Sequence, residues 1–287
     1  WRMDRMKKIR RIGKICGYQM TLQFQETRTK AVFLILFLYL WGILSPVKDF
    51  AALIDQKISP WFLVVLMNDA VCPLIVFSLW CFLICDTPFC NGSYLYYAGR
   101  SGKISWIWGE ILFLFSFSGI YMAATYLFTL ILSIPRLSFT WEWGKVLGTL
   151  AYTDASYQFP VPVSFPVTVM SGMEPSAAAA ITFLLTWMSA FLLGISVLFV
   201  NWCFHSSMGA GAGLFWIFLD LTAENLLNHQ WLRFSPVSLS RMSNLMGRYH
   251  YLTPAWAILF SGGILVLMIA VIHIVTKRRK GIEGWEM

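Results

Sequence analysis

The chain has 287 residues, of which 58% are hydrophobic and only 13% charged, and it carries 14 Trp and 23 Phe. The charged share is far below the soluble average of roughly 25%, and apolar runs long enough to cross about 30 Å of hydrocarbon recur along the whole length, which excludes an ordinary soluble domain. The net charge of +8 requires no nucleic-acid partner, because basic residues beside membrane spans are held by orientation and by anionic headgroups.

The chain opens on a basic segment, residues 1–30. On a helical wheel Met6, Ile9, Ile12, Cys16 and Met20 share one face, with Lys7, Arg10, Arg11 and Lys14 opposite. This is the pattern of an amphipathic elbow helix lying in the membrane interface, with a solvated basic tail as the alternative. The basic stretch is too long for a secretory signal, and no small-residue cleavage pattern follows it.

Six apolar spans are expected, at residues 31–50, 61–85, 107–134, 177–204, 208–227 and 251–274. Runs such as AVFLILFLYLWGIL and ILVLMIAVIHIV are apolar on every side, whereas barrel strands alternate over about ten residues. The expected fold class is therefore all-α: a six-helix membrane bundle with an N-terminal elbow, followed by a cytoplasmic tail at 275–287. Lys and Arg crowd the segment 1–30, the connection holding Arg100 and Lys103, and the tail; the opposite loops hold Lys48, Lys57, Arg136, Lys145, Arg233, Arg241 and Arg248. That asymmetry puts both termini in the cytoplasm.

In the second span, Asn68 and Asp69 precede Pro73. An ionisable residue at membrane depth is costly, so Asp69 reads either as a polar contact at a kink or, with Asn68, as the lining of a translocation path. The inner connection then carries Tyr94, Tyr97, Gly99, Arg100, Gly102, Lys103, Trp106 and Trp108. It reads either as an ordinary positive-inside loop or as a docking knob, with Arg100 and Lys103 as charged contacts and the aromatics anchoring it to the spans. Glu110 begins the third span, where a helix N-terminus favours a carboxylate. Cys85 and Cys90 face a reducing compartment in this topology, and the NGS pattern at Asn91 is inert there.

The outer loop 135–176 is long for a connection, and its Trp141 and Trp143 suit the headgroup level. Asp220 and Glu224 lie one turn apart near an outer helix end, where solvent exposure is expected. SSMGAGAGLFW, at 206–216, reads as close helix packing through small residues, and the outer segment 228–250 as short interfacial or re-entrant helices. The four His are scattered, and H-E-x-x-H, G-x-S-x-G and the phosphate loop G-x-x-x-x-G-K-[ST] are all missing. Neither catalytic residues nor a metal or cofactor is expected in this chain.

CDTPF at 85–89, RSGKISWIWGE at 100–110 and WGKVLGTLAY at 143–152 resemble motifs in the permease subunits of type-2 ATP-binding-cassette (ABC) exporters, most closely a branch from Gram-positive bacteria. The resemblance implies a bacterial cytoplasmic-membrane protein that pairs with a second permease, identical or different, above separate ATPase subunits that carry ATP and Mg. It implies that the segment 94–106 couples to the ATPase, through Tyr94, Tyr97, Arg100, Lys103, Trp106, Trp108 and Glu110, and that the cargo is an amphipathic, lipid-like or peptide molecule. The class joins its third and fourth spans briefly, so the loop 135–176 departs from it. Two rivals stand beside this reading. One is an intramembrane hydrolase using Asp69 with Asp220 or Glu224, which placement in different leaflets disfavours; the other is a non-transporting membrane scaffold or sensor.

Overall fold

The computed structural model describes residues 2–88, 101–159, 161–204, 208–226, 229–248 and 252–278, with the backbone alone for 2–7, 157, 247 and 248. The expectations for Cys90, Asn91, Tyr94, Tyr97 and Arg100 fall outside these residues. The described chain forms α1 (Arg2–Gln25), α2 (Thr27–Leu53), α3 (Phe62–Asn68), α4 (Cys72–Ile84) and α5 (Lys103–Ser133). Three short helices follow, α6 (Gly144–Tyr152), α7 (Ala155–Gln158) and α8 (Val167–Gly172), then α9 (Pro175–Cys203) and α10 (Gly209–Asn225). A 3-10 turn (His229–Phe234), α11 (Pro236–Ser240), a π turn (Asn244–Arg248) and α12 (Pro254–Arg278) complete it.

Four helices, α2, α5, α9 and α12, are long and apolar enough to cross a membrane, and α3 with α4 makes a fifth crossing if the bent pair counts as one. The chain is an all-helical, multi-pass membrane protein. The α10 helix has 17 residues, about 25 Å at 1.5 Å per residue, at the lower limit of what a crossing needs.

The second span departs from expectation. Instead of one rod over 61–85, α3 and α4 meet at an 86° bend. Pro73 explains why one helix cannot run through: its nitrogen has no hydrogen to donate, and its ring disfavours helical backbone in the residue before it. Asp69 leaves the helix with extended dihedrals, φ −67° and ψ 160°.

One end of the bundle, here the elbow end, gathers α1, the starts of α5 and α10, and the ends of α4, α9 and α12. Trp202 Nε1 donates to Thr276 Oγ1 at 2.9 Å, and the Trp106 and Trp202 rings lie 5.8 Å apart. At the far end, Ile58 N–H donates to the Arg136 carbonyl at 2.8 Å and Ser138 N–H to the Ile58 carbonyl at 2.9 Å, tying the link after α2 to the link after α5. Midway, Trp80 packs on Phe117 and Tyr121 at 5.5 and 5.3 Å. Both polar tips find backbone acceptors, Trp80 Nε1 at Ala190 (2.7 Å) and Tyr121 Oη at Val76 (2.8 Å), as burial of such rings requires.

Close approach relies on glycine, because hydrocarbon supplies no hydrophobic drive between helices and packing must do the work. A Cβ at Gly213 would sit 2.8 Å from Cys81 Sγ, so α10 reaches α4 only with hydrogen there. Gly211, in the same run, faces open space, so the packing reading of that run holds for one edge of α10 and not all round it. The elbow face also differs from the wheel. Ile15, Gln19 and Gln23, four residues apart, are the buried positions, Cys16 and Met20 flank them, and Ile9 is 63% exposed. The helix docks on α5, where a Cβ at Gly109 would come 2.5 Å from Ile15 Cγ2 and Phe24 meets Phe117 edge-on at 5.8 Å.

A Gly109→Leu variant is expected to lift α1 from α5 and to lose about 1–3 kcal/mol of stability, the usual cost of overpacking. Adding Ile15→Ala should recover part of it. Thermal unfolding in detergent, read for both single variants and the double, measures the coupling.

Candidate functional site

The bend between α3 and α4 leaves backbone groups without helical partners, and each that is buried costs free energy unless bonded. Asn68 Nδ2 donates to the Val64 carbonyl at 2.7 Å, satisfying an acceptor at the end of α3. Asp69 Oδ2 accepts from Val71 N–H at 2.9 Å and Cys72 N–H at 3.1 Å, two of the open donors at the start of α4. Three neighbouring residues are then each engaged by a different incoming group. Asn68 Oδ1 accepts from Ser243 N–H at 2.7 Å. Asp69 Oδ1 accepts from Ser164 N–H and Oγ at 2.9 and 2.8 Å. The Ala70 carbonyl accepts from Arg241 Nη2 at 3.0 Å.

Arg241 ties this hub to α10. Its Nη2 also reaches Asp220 Oδ2 at 2.5 Å, and its Nη1 reaches Glu224 Oε2 at 2.7 Å. Arg241 is 1% exposed and Asp220 fully buried, which overturns the expected solvent exposure of the Asp220 and Glu224 pair. The cause is the segment after α10, which turns back into the bundle: Ser189 Oγ donates to the Pro236 carbonyl at 2.8 Å and Ser235 Oγ to Asp220 Oδ1 at 3.4 Å. Folding that segment inward delivers a guanidinium to carboxylates that would otherwise face solvent.

The expected separation of Asp69 from Asp220 by leaflet is also corrected, since one guanidinium touches both Asp220 and the residue after Asp69. The two carboxylates do not bond to each other. Asp69 spends its oxygens on four donors and Asp220 on Arg241 and Ser235, an arrangement that holds segments together. Among the described residues no three His, Cys, Asp or Glu side chains form a metal-holding group.

At the elbow end, the residues that flank the connection between α4 and α5 are held on both sides. Asn201 Nδ2 donates to the Cys85 and Thr87 carbonyls at 2.9 and 2.6 Å, while its Oδ1 accepts from Gly209 N–H at 2.6 Å. One amide thus joins the end of α4, the body of α9 and the start of α10. Arg28 pairs with Asp86 at 2.5 Å and lies over the Phe82 ring at 5.8 Å. Cys85 is a free thiol, held above its usual range by burial and then by Asp86.

On the other stem, Gly102 turns into α5 with φ 82°, a conformation that strains any residue with a Cβ, and Lys103 opens the helix. Trp106 is 1% exposed and Glu110 fully buried, while Trp108 approaches His273 at 6.2 Å. Glu110 lies beyond the first turn, where the helix dipole acts; its partner is Gln19 of the elbow, which donates Nε2 to Oε1. Of the expected coupling residues the structure brings Trp106 and Glu110 onto this clamp. Asn201, Gln19, Arg28 and Arg241 are the residues that sequence reasoning missed. An Asn or Gln inside or beside an apolar run was the available signal for two of them.

Arg241→Met should destabilise the chain by about 3–5 kcal/mol, because it leaves Asp220 buried without its cation. Adding Asp220→Leu should return most of that loss in a double-mutant cycle of thermal unfolding. Asp69→Ala is expected to cost about 1–2 kcal/mol through the open donors of α4 and, by releasing Ser164, to speed limited proteolysis within 153–166. Comparison with known proteins finds no matching family model, no matching curated protein and no matching solved structure.

Proposed function

We propose that this chain is the permease subunit of an ATP-driven exporter of the type-2 ABC class, with six crossings that include α10, both termini inside, and no catalytic residues of its own. It works with a second permease, identical or different, above cytoplasmic ATPase subunits that bind ATP and Mg, in a bacterial cytoplasmic membrane. The cargo class is an amphipathic, lipid-like or peptide molecule.

The observation that carries this reading is the clamping of both stems of the inner connection. Asn201 and Arg28 hold the stem leaving α4, and Trp106, Trp202, Gln19 and Glu110 hold the stem entering α5. Stems held in this way would pass a push from a docked partner on to α4, α5 and α9. The far-end hub supports the same reading, because the segment after α10 is latched by a few polar contacts to the bend of α3 and α4. Alternating access needs a preference of only a few kcal/mol for one arrangement over the other, and a latch made of hydrogen bonds and one ion network is of that order.

Affinity isolation of the tagged chain from bacterial membranes is expected to bring down a soluble subunit bearing G-x-x-x-x-G-K-[ST]. In the reconstituted complex, Arg100→Ala with Lys103→Ala should leave the chain folded and assembled and lose most transport-coupled ATP hydrolysis. Isolation with no such subunit overturns the transporter reading; normal coupling in the double variant overturns the docking role of Arg100 and Lys103.

A further inference from the structure

The far end carries two adjoining cavities that share Trp141. The larger, about 670 Å³, is lined by Trp141, Glu142, Trp143, Met173 and Glu174 among others, with neither Lys nor Arg in its wall. The smaller, about 230 Å³, is aromatic, with Trp61, Tyr126 and Phe139 around it. Neither Glu142 nor Glu174 is ion-paired among the described residues. The N-terminus of α9 contributes roughly half a positive charge beside Glu174, less than two carboxylates supply, so the larger cavity attracts cations.

The walls are set before any ligand arrives. Trp61 Nε1 donates to the Thr140 carbonyl at 3.0 Å and Trp143 Nε1 to the Met173 carbonyl at 3.3 Å, which fixes both rings. Ser59 Oγ donates to the Trp143 carbonyl at 2.7 Å. Gly144 then turns the chain with φ 77°, where a Cβ would lie 3.3 Å from Ser59 Cβ. Trp141, 81% exposed, lines both cavities, and Phe139, 80% exposed, stands open beside the smaller one.

We propose that these paired cavities form a binding site for an amphipathic cation: an alkylammonium head held by Glu142, Glu174 and the Trp141 face, and an apolar body in the slot of Trp61, Tyr126 and Phe139. An ammonium over an indole gains from the ring quadrupole, and a carboxylate partner adds to it. The source is a free cation and not a phosphocholine lipid, whose phosphate would sit against the same two carboxylates. The site does not rest on the transport reading, because binding is measured on the purified chain with no ATPase present; failure of either leaves the other standing.

The test is calorimetric titration of the chain in neutral-lipid nanodiscs with decyltrimethylammonium below its micelle concentration. Saturable, one-to-one binding is expected, weakened roughly tenfold by Glu142→Gln with Glu174→Gln, as two exposed charge contacts together allow, and several-fold by Trp141→Ala. Phe139→Ala should weaken decyltrimethylammonium while leaving tetramethylammonium unchanged, which separates the slot from the head site. Melting temperatures of all three variants should match the parent. Binding that never saturates, binding unchanged in the carboxylate and Trp141 variants, or equal binding of decylphosphocholine overturns the proposal.

Discussion

The structure turns on the requirement that backbone polar groups find partners wherever water is excluded. Between α3 and α4 that requirement falls on Asn68, Asp69 and Ala70, at an 86° bend. Their side chains cap what they can locally, and the remaining acceptors draw in Ser164, Arg241 and Ser243 from two segments remote in sequence. A straight second span would have left Ser164, Ser243 and the third contact of Arg241 without these partners. The bend is therefore the organising defect: its cost is offset by contacts that also decide where the far-end segments lie.

Arg241 brings a buried charge to this arrangement, bonding the Ala70 carbonyl at the bend and two carboxylates of α10. Buried charge is tolerated only with close partners, since desolvation of an unpaired ion costs several kcal/mol. Here one guanidinium meets two carboxylates and a carbonyl, so it links α10, the bend and the segment that follows α10. Removing Arg241 would leave Asp220 buried without a cation, a loss of several kcal/mol.

The elbow end is built on a different logic. Its contacts are mostly neutral amide bonds and aromatic packing, with Asn201 serving three elements at once and Trp202 joining α5 to α12. Beside them stand one fully buried carboxyl, Glu110, and the Arg28–Asp86 ion pair. The two ends thus differ in what holds them: amide and aromatic contacts at the elbow end, an ion network around Arg241 at the far end.

Much of this chain was legible in its residues. Uninterrupted apolar runs can bury their backbone bonds only as helix, so α2, α5, α9 and α12 were determined locally, as was the cost of placing Asp69 before Pro73. The composition of the loop 135–176 marked its tryptophans, though not the cavities they border. What tertiary structure decided were the partners: that Glu110 meets Gln19 and not the helix dipole, that the buried face of α1 is Ile15, Gln19 and Gln23, and that Asp220 lies in the interior. The reason is common to all three. A residue's own helix sets its face and its cost, but whether that face meets solvent or an opposite charge depends on which distant segment folds over it, and the return of Arg241 to α10 leaves no mark within α10 itself.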